Sequence, residues 1–185
     1  MVGLHSLWLP ILLSSVVVFL ISWLIHMATP WHKNDYRKVP DEDKLREAWR
    51  TLNIPPGNYM VPTPSNRKEA TSVEFREKLK QGPILMLTVA PGGPVSMGKH
   101  LVQWFVYLIV VGIFAAYITS RALPAGTGFR PVLRFAGATA FIAYSIALWQ
   151  ASIWERRSWT TTIKETVDGL IYGLLTGAIF GWLWP

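Results

Sequence analysis

Four histidines, 11 carboxylates and no cysteine set the chemistry open to this 185-residue chain. Without thiols there are no disulfides, thiolate metal sites or cysteine nucleophiles. Gly93-Pro-Val-Ser-Met-Gly98-Lys99-His100 fits the G-x-x-x-x-G-K pattern of a phosphate loop. Such a loop needs successive backbone N–H donors and a hydroxyl after the lysine to hold magnesium. Pro94 removes a donor and His100 stands where the hydroxyl belongs, so the segment reads as a turn leading an interfacial lysine into a helix. No nucleotide is expected. Ser96-Met-Gly-Lys99 matches the S-x-x-K of acyl enzymes, but no second motif supports it.

The histidines are the better candidates. His26, His32 and His100 all fall beside the ends of apolar runs, where they could bind a metal or haem or carry protons. None stands in H-x-x-x-H or H-E-x-x-H spacing, and the simplest reading is of amphipathic rings at a water boundary. No catalytic residue, metal site or cofactor is predicted. Asp168 is the carboxylate deepest in an apolar run, and Arg156 or Arg157 is its expected ion-pair partner.

The elements that carry these residues are apolar runs of membrane-spanning length. The spans are expected over about residues 7–27, 101–120, 131–153 and 163–184. The first has no charge and carries Trp8 and Trp23 near its ends, as aromatic interface anchors do. It lacks a preceding Lys or Arg and a following A-x-A site, so it reads as a retained helix rather than a secretory signal. Pro131 suits the first turn of the third span. Thr162 and Glu165 match a capping box for the fourth, whose roughly 22 residues would reach about 33 Å.

Within the fourth span, Gly169, Gly173, Gly177 and Gly181 recur every fourth residue. They leave a bare groove down one helix face, where another backbone can approach closely. The third span offers small residues, Ala136, Ala140, Ala143, Ala147 and Ala151, so the seam is expected inside the chain. An oligomer or another subunit is the alternative occupant.

Of 18 Lys and Arg residues, 12 lie between the first and second spans, three between the second and third, and three between the third and fourth. With four crossings, the first and third connections share a side, which the positive-inside rule makes cytoplasmic. Both termini are then outside. The net charge of +7 is explained by this bias and by attraction to anionic headgroups, and nucleic acid is not an expected partner.

Residues 28–100 are too short and polar for a large core and read as a small, mostly helical cytoplasmic module. Asp41 is a credible N-cap for a helix over 41–52, whose Leu45, Ala48, Trp49 and Leu52 share a face. Pro55-Pro56-Gly57 ends it. Asn58 to Pro64 reads as extended, a second helix covers about 68–80, and 84–89 is a short strand. Trp49 is expected to lie on the module core or the membrane surface.

Two stretches carry a resemblance. G-P-I-L-M-L-T-V (Gly82 to Val89) leading to M-G-K-H-L-V-Q-W-F-V-Y (Met97 to Tyr107) is one. The other is A-L-W-Q-A-S-I-W-E-R-R-S-W-T-T-T-I-K (Ala147 to Lys164) with the closing G-W-L-W-P. Together they resemble small multipass bacterial membrane proteins of unknown function, which implies a bacterial inner membrane and carries over no site residues. The expected class is thus an all-α integral membrane protein with four transmembrane helices and a module between the first two. Its expected role is that of a non-catalytic structural, accessory or assembly subunit, with the bilayer and other membrane subunits or itself as partners. A redox or transport component built on the His and Asp168 cluster is the alternative.

Overall fold

The computed structural model describes residues 2–185. It is mostly helical and divides into two compact units, one running through Tyr36 and resuming at Ser96–Pro185, the other Arg37–Val95. Among the described residues, three helices are long and apolar enough to cross a membrane: Leu4–Ala28, Met97–Ala122 and Phe129–Trp154. This is a membrane protein of more than one span.

The first of these opens on a 3₁₀ turn at Leu4–Leu7, continues as α1 (Trp8–Trp23) and closes on a π turn at Leu24–Ala28. Its serines do not break it, because Ser14 and Ser15 both donate to the Ile11 carbonyl and Ser22 to that of Phe19. Hydroxyls satisfied within the helix can lie against apolar neighbours at little cost.

In the second unit, Asp41 caps α2 (Glu42–Leu52) by accepting from the Lys44 amide, as its sequence suggests. The stretch read only as extended is a strand, β1 (Gly57–Val61). The expected second helix is two pieces, α3 (Arg67–Ala70) and α4 (Val73–Gln81). The break falls at Ser72, whose hydroxyl accepts from the Phe75 amide and so favours a new N-cap over a continuing turn. β2 (Leu85–Val89) pairs antiparallel with β1, Tyr59 opposite Leu87, so the strand that stood alone in the sequence has a partner. Trp49 lines a groove with Leu45, Leu87 and Val89 inside this unit.

The first unit continues with α5 (Met97–Ala122), α6 (Phe129–Ser145), α7 (Trp149–Trp154) and α8 (Trp159–Trp182). The third expected span is therefore interrupted. Regular helix gives way to a 3₁₀ turn at Ile146–Leu148, where the Tyr107 hydroxyl takes the Ala143 carbonyl at 2.8 Å. A side chain that claims a ladder carbonyl is a recognised cause of such a break. After α7, Arg156 adopts a left-handed φ of 58° and the Arg157 amide returns to the Ala151 carbonyl. That closure turns the chain into α8. The capping box expected at Thr162 and Glu165 does not form, because α8 already begins at Trp159. Thr162 lies buried against Ser152 at 2.6 Å, and Glu165 pairs with Arg157.

α8 is long enough to cross, but Lys164, Glu165, Asp168 and its glycines and threonines make it less apolar than the other three. It runs antiparallel to α6. Gly169 meets Ser145, Gly173 meets Phe141 and Gly137, Gly177 meets Leu133, and Gly181 meets Phe129. The glycine groove is thus seated on the third apolar helix, and the atoms nearest the glycines belong to residues other than its alanines. Ala136 and Ala140 are buried, whereas Ala143 and Ala147 face outward, and Gly137 is the point of closest approach. Ala147 lies in the 3₁₀ turn after Ser145, where the regular helix of the seam ends.

Two clusters form the core. At one end Leu7, Ala115, Ala116, Val132, Ala136 and Phe180 pack together, with Trp184 against them. Toward the other end Val18, Leu108, Val111, Ala140, Tyr144 and Tyr172 do the same. The Trp184 indole donates to the Pro124 carbonyl and the Gly126 amide to that of Pro185, which ties the chain end to the α5–α6 turn.

Candidate functional site

At the opposite end of the bundle, the turn after α1 folds back onto the first turns of α8. Asp168 is 3 % exposed, and its two oxygens are both engaged. Oδ1 accepts from the Trp31 indole at 3.1 Å and Oδ2 faces His32 Nε2 at 2.7 Å. The other nitrogen of the same ring, Nδ1, lies 2.5 Å from Asp35 Oδ2, and Asp35 Oδ1 accepts from Lys164 Nζ at 2.7 Å. A ring facing a carboxylate through each nitrogen satisfies both when it carries both protons. Lys164, Asp35, His32 and Asp168 then form a chain of alternating charge that sums to zero. Buried charges persist only when paired in this way. Burial works to raise the Asp35 carboxyl, but the hydrogen bonds from Lys164 and His32 outweigh it and hold it below the ordinary carboxylate range.

Neither Arg156 nor Arg157 is the partner of Asp168 here. Arg157 reaches Glu165 with both terminal nitrogens instead, the geometry of a bidentate pair. The physical reason is the earlier start of α8: with Trp159 already helical, Glu165 stands one turn nearer to Arg157 than Asp168 does. Lys164 also sits over the Trp31 ring, 5.7 Å from its centre.

His26 stacks on His32, ring centres 4.3 Å apart and planes within 5°. Its Nδ1 lies 2.9 Å from the Ser22 carbonyl, one turn back on α1. His26, His32 and Asp168 thereby bring three potential ligand atoms within 4.8 Å of one another. Sequence spacing hid this, since His32 and Asp168 are 136 residues apart. The cue that was available is that both stand at the same end of their apolar runs. His100 does not join the group.

Beside the cluster a cavity of about 750 Å³ opens between α1, α5 and α8. His26, Asp168 and Glu165 form its polar edge, and Phe19, Trp104, Tyr107, Tyr144 and Tyr172 much of the rest. The aromatic wall is self-supporting. Tyr144 meets Tyr172 edge-on at 5.6 Å, Tyr107 meets Tyr144 at 5.9 Å, and the Trp104 indole donates to Ser22 Oγ at 2.9 Å. The Tyr172 hydroxyl is buried and has no hydrogen-bond partner among the described residues. His100 and Gln103 stand at the same rim. The arrangement offers an apolar, aromatic enclosure with a fixed polar edge, the usual make-up of a ligand pocket. No protein-family model matches this chain, and neither a curated protein nor a solved structure does so.

Proposed function

We propose that this is a four-span integral membrane protein of the bacterial inner membrane, acting by binding rather than catalysis as an accessory or assembly subunit. α8 is the fourth span, both termini are outside, and the module lies in the cytoplasm. Two features support the crossing of α8: it lies antiparallel along the whole of α6, and its far end is tied to the α5–α6 turn. The excess of Lys and Arg in the first and third connections supports the orientation.

The observation that carries the binding role is the aromatic cavity. Its polar edge consists of groups already locked to one another, Glu165 to Arg157 and Asp168 to His32 and Trp31, which suits holding a guest more than exchanging protons with it. A photo-crosslinking residue at Gln103, on the rim, should join one membrane component in high yield in native membranes. The same label at outward-facing Val110 should not. If both capture the same species equally, the cavity has no special role and the reading fails. A redox or transport component is the second reading, favoured by the convergence of His26, His32 and Asp168.

A further inference from the structure

We propose that His26 Nε2, His32 Nε2 and Asp168 Oδ2 are the protein ligands of one divalent first-row transition metal ion, of the zinc or ferrous class. The inference goes beyond the accessory role and does not depend on it. Two imidazoles and one carboxylate are the donor set that such borderline ions take, whereas magnesium and calcium prefer oxygen alone.

The surroundings of the three atoms are those of a metal site. A ligating histidine characteristically commits its other nitrogen to a carbonyl or carboxylate, which fixes the ring and raises its basicity. Here both do so: His26 Nδ1 to the Ser22 carbonyl at 2.9 Å, His32 Nδ1 to Asp35 at 2.5 Å. Asp35 is in turn held by Lys164, so the support extends a further layer. Asp168 is fixed by the Trp31 indole through Oδ1, leaving Oδ2 to point at the cluster. The ion takes the place of the shared proton between His32 Nε2 and Asp168 Oδ2, and the stacked rings splay by a modest rotation so that both Nε2 lone pairs converge.

Three protein ligands leave at least one position open. It faces the aromatic cavity, whose lining includes His26 and Asp168. An ion there would also clamp the turn after α1 to α8, which Trp31, His32 and Asp35 already join through side-chain bonds.

The test is metal binding by the full-length protein in detergent, with Co2+ as the spectroscopic probe and Zn2+ for stoichiometry. One ion per chain is expected, with d–d bands of a low-coordinate Co2+ site. His26→Ala is the primary variant because that ring is exposed and outside the charge chain, so the fold should survive its loss. It and Asp168→Asn should each weaken binding at least about 100-fold, and Asp35→Asn about 10- to 100-fold with a shift of the Co2+ bands that a merely structural role would not produce. His5→Ala, in the 3₁₀ turn that opens the first helix, should bind as the parent does. Elution profile and unfolding midpoint without metal establish that each variant is folded. The proposal is overturned if the folded parent binds Co2+ no better than His26→Ala, or if His5→Ala loses as much.

Discussion

Gly137 and Gly173 meet backbone to backbone: a methyl built on Gly173 would lie 2.9 Å from the Gly137 carbonyl oxygen, and one on Gly137 3.1 Å from that of Gly173. One turn on, a methyl at Gly177 would stand 2.5 Å from the Leu133 carbonyl. Backbone cannot rotate out of the way as a side chain can. Gly177→Ala should therefore force α6 and α8 apart and cost about 1–3 kcal/mol, the range for overpacked interiors. Gly98→Ala is the control, since nothing lies within 4 Å of its added methyl. It should be neutral or stabilising by up to about 1 kcal/mol through helix propensity. Unfolding titrations in mixed micelles would compare them.

The charge chain behind His32 should behave as one unit. Lys164→Gln and Asp35→Asn each leave a partner buried without its counter-charge, so the double variant should lose less than the two singles added together. A coupling of about 1–3 kcal/mol is expected from residues in one network. Additive effects in the cycle would mean that the pair is merely adjacent.

Across helices, the Tyr107 hydroxyl donates to the Ala143 carbonyl and the Trp104 indole to Ser22 Oγ. Tyr107→Phe should cost about 0.5–1.5 kcal/mol, one hydrogen bond's worth. It should also let regular helix extend past Ser145, seen as stronger amide protection at Ala147. Unchanged protection would remove Tyr107 as the cause of the break.

In the second unit, hydrogen bonds from Lys44 hold the exposed Asp41 carboxyl below its ordinary value. A carboxyl lowered on folding contributes stability that is present above its unfolded pKa, about 3.9, and is lost as pH falls through the folded value. Exchange at the Lys44 amide should accordingly quicken only in acid below about pH 4. Asp41→Asn keeps a capping oxygen without the charge, so its exchange should lose that acid step.

Much of this was legible because local rules govern it. The apolar runs, the Asp41 cap and the glycine groove follow from spacing within one element. Thr162 and Glu165 satisfy a capping pattern in sequence, while the turn at Arg156 allows helix four residues before residue 163. The alanines of the third apolar run look equivalent in sequence, yet Ala136 and Ala140 are buried while Ala143 and Ala147 are exposed. His26, His32 and Asp168 lie on segments that meet only in the folded bundle, and no spacing rule reaches across 136 residues.

The proposed topology turns the charged end of a four-span bundle, with its histidine and aspartate cluster, toward the cytoplasm. The chain has no cysteine, so single cysteines report position without a background. Ala125→Cys, Ser65→Cys and Ser158→Cys should be treated with a membrane-impermeant maleimide in spheroplasts, before and after permeabilisation. Ala125→Cys should label at once, and Ser65→Cys and Ser158→Cys only after permeabilisation. Labelling of Ser158→Cys from outside together with Ala125→Cys would place the two ends of the α6–α7 segment on one face and overturn the four-span topology.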